Sequence, residues 1–176
     1  MNFFQTYTQG KRGLILLASS FFLTALIFFI WFNDSPEERV TRYQQEFLQA
    51  VADKKWSAAK GFVSPIYADR LGHNSETLLT DLRSVTRHFF ALNIRSQGLL
   101  IKQTQPEQMT VTTYLTISGT GPGLTEFITQ EVNKLQNPWT FSWKKTGALP
   151  WNWQVDQVDN TSLQIDAYRR GASLNQ

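Results

Sequence analysis

The spacing of apolar residues changes once along this chain, near Asn93, and that change restricts the fold more than any other feature. Before it, apolar residues recur every three or four positions, as on one side of a helix; after it they recur every two, as on one face of a strand. The stretch "DSPEERVTRYQQEFLQAVADKKW" starts a first helix, with Ser35 as cap, Pro36 at the first helical position and Glu38 completing an S-x-x-E capping box. Val40, Tyr43, Phe47, Leu48 and Val51 then form one apolar stripe. A shorter helix is expected from Trp56 to about Phe62, followed by the turn "VSPIYADRLGHN". A third, capped by Ser75, is expected to reach about Ala91, its seam formed by Leu78, Leu82, Val85, Phe89 and Leu92.

Beyond Asn93 the pattern predicts a strand over Ile94 to Thr104 and a turn at Gln105-Pro106-Glu107-Gln108. A second strand then places Met109, Val111, Thr113, Leu115 and Ile117 on one face. "GTGPG", Gly119 to Gly123, breaks the pattern. Residues 124–135 suit a short amphipathic helix, with a flexible flap as the alternative. The stretch "NPWTFSWKKTGALPWNWQVDQVD" closes the chain with a hairpin carrying Trp139, Phe141 and Trp143 on one strand and Trp151, Trp153 and Val155 on the next. Helices first and antiparallel strands afterwards define an α+β domain, with the helices on one face of the sheet.

Ahead of this domain lies "GLILLASSFFLTALIFFIWF", Gly13 to Phe32, without a charged residue. As a helix it spans roughly 30 Å, the thickness of a bilayer's hydrocarbon core. A cleavable signal peptide would have a shorter apolar run and a small-x-small site, and "FIWFND" has none. An uncleaved transmembrane helix is therefore expected at 13–32. Lys11 and Arg12 flank its near end, whereas "NDSPEE" follows its far end, so the N-terminus is expected in the cytoplasm and the rest outside it. Ser20 and Thr24, one turn apart, can either pair helices or bond to their own backbone. The expected organisation is a cytoplasmic tail over 1–12, the transmembrane helix over 13–32, the α+β domain over 35–160 and a C-terminal tail over 161–176.

Without Lys11 and Arg12, the 17 basic residues fall to 15, against 14 acidic ones. That balance argues against a nucleic-acid partner. The chain has no cysteine, which excludes disulfides, thiolate metal sites and a cysteine nucleophile. No paired-ligand motif suggests a metal, and "GTGPG" lacks the Lys-Ser/Thr of a phosphate loop, so no cofactor is expected.

Four places carry a resemblance to the nuclear-transport-factor-2-like superfamily, a cystatin-like α+β cone of three helices on a curved antiparallel sheet. "AVADKKWSAAKGFVSPIY" resembles the step from first to second helix, and "SPIYADRLGHNSETLLTDLRSV" the turn and third helix of bacterial members. "MTVTTYLTISG" is similar to a central strand and "FSWKKTGALPWNWQVDQV" to the closing hairpin. The likeness covers about Ser35 to Asn160 and is nearest to bacterial members with an N-terminal membrane anchor. These are patterns of shape, so they imply fold and leave function to the site.

The resemblance implies that enzymes of this fold use a Tyr, Asp or His inside the cone as acid or base. The candidates in this chain are Tyr67 and Asp69, in the turn expected at the cone's mouth, and His88, seven residues after Asp81 on the expected third helix. His73 follows Gly72 in the loop before that helix. Core or ligand-cavity candidates are Tyr43, Phe47, Trp56, Trp139, Trp143, Trp151 and Trp153. The function expected is a binding or assembly module of the cell envelope, held in an inner membrane with its domain outside the cytoplasm. Its partners would be the lipid bilayer through 13–32 and an envelope protein or a second copy. The alternative is a cofactor-free isomerase or hydrolyase, or a small-ligand binder, using the cone's cavity.

Overall fold

The computed structural model describes residues 34–163 together with Phe22. Helix α1 (Pro36–Ala52) is followed by α2 (Trp56–Phe62), α3 (Ser75–Thr86), β1 (Ala91–Gln105), β2 (Gln108–Thr120), α4 (Thr125–Asn133), β3 (Trp139–Lys145) and β4 (Trp153–Asp159). Four antiparallel strands form one sheet in the order β1-β2-β3-β4. The expected membrane helix lies, Phe22 apart, outside the described residues, as do residues 164–176 of the C-terminal tail. Among the described residues no helix is long and apolar enough to cross a membrane.

The stripe on α1 packs against β1 and β2, burying Val40, Phe47, Leu48 and Val51. Gln44 lies on the same buried side and has no exposed surface. Its Oε1 accepts from the Trp143 Nε1–H at 2.9 Å, which pairs these two atoms within the core, while the buried Gln44 Nε2 has no hydrogen-bond partner. Alternation on β2 is as expected: Met109, Val111, Thr113 and Ile117 are buried, and Leu115 is half-buried. The Thr113 hydroxyl donates to the Gln97 carbonyl at 2.9 Å.

Two unpaired stretches of the sheet, the end of β2 beyond β3 and the outer edge of β4, are covered, and both shape the site. β3 pairs with β2 only over Gln108 to Thr113. Past that point α4 replaces the missing strand: the Asn133 amide accepts from the Ile117 N–H at 2.8 Å and donates to the Ile117 carbonyl at 2.9 Å. The helix expected over 124–135 therefore forms, as Thr125–Asn133. On the far edge, Val63 makes a parallel bridge with Val155. The Ser64 N–H donates to the Val155 carbonyl, and the Ala68 N–H to that of Asp156. A covered edge cannot recruit another strand.

The third helix departs from expectation at both ends. Asn74, not Ser75, is the cap: its Oδ1 accepts from the Glu76 and Thr77 N–H groups while Thr77 Oγ1 accepts from the Asn74 N–H, a reciprocal capping box. The helix ends at Thr86, five residues short of Ala91, because Phe89 turns into the core with 1% exposure and the chain enters β1 at Ala91. On α3, Leu79 is the buried leucine, whereas Val85 of the expected seam is 44% exposed.

Gly119 is required by close approach. A Cβ there would lie 2.3 Å from the Ala91 carbonyl oxygen and 2.6 Å from Phe89 Cδ1. Gly119→Ala is expected to cost about 1–3 kcal/mol by overpacking, read as a lower urea midpoint with an unchanged slope.

Candidate functional site

Between α1, α3, α4 and the sheet, side chains leave a cavity of about 1050 Å³. Most of its wall is apolar: Phe47 and Val51 come from α1, Leu82 and Val85 from α3, Leu115 and Ile117 from β2, and Trp139 and Phe141 from β3. One polar strip consists of Tyr67, Asp69, His73 and Asp81, and further polar groups, among them Glu131, Asp159 and Asn160, line other parts of the wall.

This strip is built by the loop between α2 and α3. The bonds along β4 fix residues 63–68 and place the buried Tyr67 at the wall. The next five residues close on themselves: the Asp69 N–H donates to the His73 carbonyl and the Gly72 N–H to that of Asp69. Gly72 has φ +90°, a conformation that costs little only for glycine. The Asn74 capping box follows at once, so the loop is anchored at both ends.

The side chains then converge on one carboxylate. Asp69 Oδ1 accepts from the N–H groups of Leu71 and His73, each at 2.9 Å. Oδ2 accepts from the Tyr67 hydroxyl at 3.0 Å and lies 2.7 Å from His73 Nδ1. His73 Nε2 is 3.1 Å from Asp81 Oδ2, so the imidazole bridges two carboxylates. The Asp69 side chain is 4% exposed and that of Asp81 48%.

Burial alone would raise the Asp69 pKa, but bonds from the His73 ring and N–H and from the Tyr67 hydroxyl outweigh it and hold the carboxyl below its ordinary value. Tyr67 moves the other way. Burial first, and the neighbouring carboxylate second, push its hydroxyl well above the usual phenol range. It remains a proton donor to Asp69 across the ordinary pH range. The strip therefore combines an ionised acceptor with a neutral phenol, and an imidazole able to donate at both nitrogens when protonated.

Tyr67 and Asp69 are thus brought together, and His88 is not with them. His88 lies beyond the end of α3 and is absent from the cavity wall, so its helical relation to Asp81 does not form. Its carbonyl instead accepts from the Thr125 hydroxyl at 2.6 Å. His73, singled out in the sequence by its place after Gly72, does join the site, and Asp81, considered there only for its spacing from His88, is the member that the sequence did not suggest. The signal for His73 was "DRLGH", in which glycine before His73 allows the chain to return onto Asp69.

The aromatic candidates divide. Phe47 and Trp139 line the cavity. Trp143 and Trp153 belong to the core, while Trp151 is half-buried in the β3–β4 connection. Tyr43 packs on Phe62 and Trp143 with ring centroids 5.7 and 6.4 Å away. Trp56 carries the Arg83 guanidinium 5.4 Å from its ring centroid. Neither Tyr43 nor Trp56 reaches the cavity wall.

No family model and no curated protein matches the chain. Solved structures do. An NTF2-like protein from Cytophaga hutchinsonii is 14% identical with a TM-score of 0.51, over 71% of this chain and 96% of that one. A hexachlorocyclohexane dehydrochlorinase from Novosphingobium barchaimii is 9% identical with a TM-score of 0.53, over 69% and 82%. Bdellovibrio bacteriovorus Bd1075 is 11% identical with a TM-score of 0.51, and here the 68% of this chain that aligns spans only 38% of the other. At such identities the likeness carries the fold alone, which is α+β and NTF2-like.

Proposed function

We propose that the NTF2-like domain binds a small, largely apolar molecule in its cavity, and that residues 13–32 hold it at a membrane with the domain outside the cytoplasm. The observation that carries the binding role is an open, mostly apolar cavity with a hydrogen-bonded polar strip in its wall. Its volume of about 1050 Å³ matches the upper end of the roughly 300–1000 Å³ typical of small-molecule sites. Apolar walls supply the affinity and the Tyr67–Asp69–His73–Asp81 strip the orientation. A domain acting only as an assembly surface has no need to leave such a space, since an unfilled apolar interior forfeits packing energy. The membrane role rests on the charge-free length of 13–32 and on Lys11 and Arg12 at its near end.

The test uses the full chain in nanodiscs of zwitterionic lipid, titrated with the neutral fluorophore naphthylmethanol. Saturable binding is expected above the non-saturable uptake into lipid. Leu115→Trp, which places an indole in the cavity, is expected to weaken it by roughly tenfold or more, equivalent to about 1.4 kcal/mol. Equal uptake by both proteins without saturation would remove the binding reading.

A second reading is favoured by one feature, the imidazole held between two carboxylates. Such a group is equipped to move a proton, and a solved structure of this fold is a dehydrochlorinase. In that reading the domain is a cofactor-free isomerase or hydrolyase with His73 as acid or base and Asp69 orienting it. Slow exchange of a bound ligand's acidic C–H with deuterium, lost in His73→Gln, would separate it from simple binding.

A further inference from the structure

The chain's exit from the last strand is built into the cavity wall. β4 ends at Asp159, yet Asn160, Ser162 and Leu163 contribute to the wall as well as Asp159 itself. Three side chains hold this segment in place. Arg70, next to Asp69 in the loop before α3, donates through Nε to Asp159 Oδ1 at 3.1 Å. Its Nη2 donates to the carbonyls of Asn160 and Leu163 at 3.1 and 3.3 Å. Asn160, 1% exposed, donates from Nδ2 to the Asn137 carbonyl and accepts at Oδ1 from the Ser162 N–H, both at 2.8 Å. The Ser162 hydroxyl oxygen accepts from the Asn137 N–H at 3.1 Å. The segment is thus fastened from two sides, to the loop before α3 and to the approach to β3.

Residue 164 therefore starts at the cavity. Residues 164–176 lie outside the described residues. Their sequence, "QIDAYRRGASLNQ", sets two large apolar side chains, Ile165 and Tyr168, close behind Leu163 and ahead of the paired charges Arg169 and Arg170. As a sphere, a volume of about 1050 Å³ is roughly 13 Å across. The stretch from Leu163 to Tyr168 reaches at most roughly 17 Å. It is long enough to cross the opening, on whose rim Val85 of α3 and Glu131 of α4 are both exposed.

We propose that the mouth of the cavity is a docking surface for the chain's own C-terminal segment, with Ile165 and Tyr168 laid against the apolar wall, and that the segment must leave before a ligand enters. The docking stands by itself, whereas the competition rests on the binding reading above. Apolar wall and apolar side chains gain by leaving water together. The pinned start at Leu163 keeps the loop to be closed short and the segment's effective concentration at the mouth high. A segment docked about nine-tenths of the time lowers the apparent affinity of a competing ligand roughly tenfold.

Two readouts separate docking from competition, both on protein in zwitterionic nanodiscs that carry one copy each. Because the chain has no cysteine, an introduced pair reports alone. Ala167→Cys is combined with Val85→Cys on the rim or, as the control, with Ile66→Cys. Ile66 is 70% exposed, is absent from the wall and lies four residues before the Arg70 that holds Leu163. Under copper–phenanthroline oxidation the Val85 pair is expected to form its disulfide roughly tenfold faster than the Ile66 pair. Equal rates, or a faster Ile66 pair, overturn the docking. In titrations with naphthylmethanol, the full-length double variant Ile165→Asp with Tyr168→Asp is expected to bind roughly tenfold more tightly than wild type. A chain ending at Leu163 should match it. Unchanged affinity in both overturns the competition. If none of these proteins binds the probe saturably, the binding reading itself has failed, and the cysteine pairs still decide whether the segment docks.

Discussion

Trp143→Ala is expected to destabilise the domain by about 3–5 kcal/mol, as truncation of a buried aromatic generally does. That is a large share of the roughly 5–15 kcal/mol that holds a domain folded. Trp143 has no exposed surface and sits on β3 between Met109 of β2 and Val155 of β4. Its ring meets those of Tyr43 and Phe62, both at 6.4 Å. Its removal therefore opens the contact between α1, α2 and the sheet at one point. It also leaves Gln44 Oε1, on a residue with no exposed surface, without the indole donor. Two further variants separate the polar from the packing contribution. Trp143→Phe keeps most of the ring and is expected to cost about 1–3 kcal/mol, chiefly from the orphaned acceptor. Adding Gln44→Met to it should recover much of that loss, since an orphaned partner costs more than an apolar pair. Urea titrations of wild type, Trp143→Phe, Gln44→Met and the double variant provide the check. A double variant as unstable as the sum of the two single changes would show that the bond contributes little beyond packing.

Asp69→Ala should have a comparable effect, about 3–5 kcal/mol, because it removes the shared acceptor of a nearly enclosed cluster. Four donors lose their partner oxygen: two backbone N–H groups, the Tyr67 hydroxyl and the His73 ring. The loop between Tyr67 and Asn74 has few other internal bonds, so the change should loosen the polar strip before it loosens the sheet. The pH dependence has a definite sign. The Asp69 pKa is held below its ordinary value of 3.8, so its stabilisation is full above that value and is lost as pH falls through the lower, folded-state one. Wild type is therefore expected to lose stability on acidification below about pH 4, with a steeper fall than Asp69→Asn over the same range. Parallel slopes for the two proteins would mean that folding does not lower the Asp69 pKa. A His73 ring resonance that is unshifted between wild type and Asp69→Asn would deny the hydrogen bond directly.

The sequence by itself determined the kind and order of the elements. A hydrophobic period is a local property, and a stripe such as Val40, Phe47 and Val51 or the alternation from Met109 to Ile117 exists before anything packs on it. The change of period near Asn93 was enough for three helices, then strands, and hence for an α+β domain. Local signals were less reliable at the ends of elements. Ser75 and Asn74 are both good caps, and the choice fell to Asn74, whose N3 residue Thr77 returns a bond, whereas a Ser75 cap would have Leu78 at that position. Helix α3 stopped early because Phe89 gains more inside the core than on a continued helix, a balance that no local pattern contains.

Only the tertiary structure decided where the site lies. Asp69 and His73 are four residues apart in a loop, with no fixed period to bring their side chains together. They meet because Gly72 reverses the chain and β4 anchors the segment before it. Asp81 joins them from a helix whose orientation depends on the whole core. Even the four clustered indoles were separated by packing, two into the core, one onto the cavity wall and one into a connection. Covalent neighbours set which way a side chain faces, but a cavity is a volume between elements. Its size and lining follow from distances that appear only once helices and sheet have settled against one another.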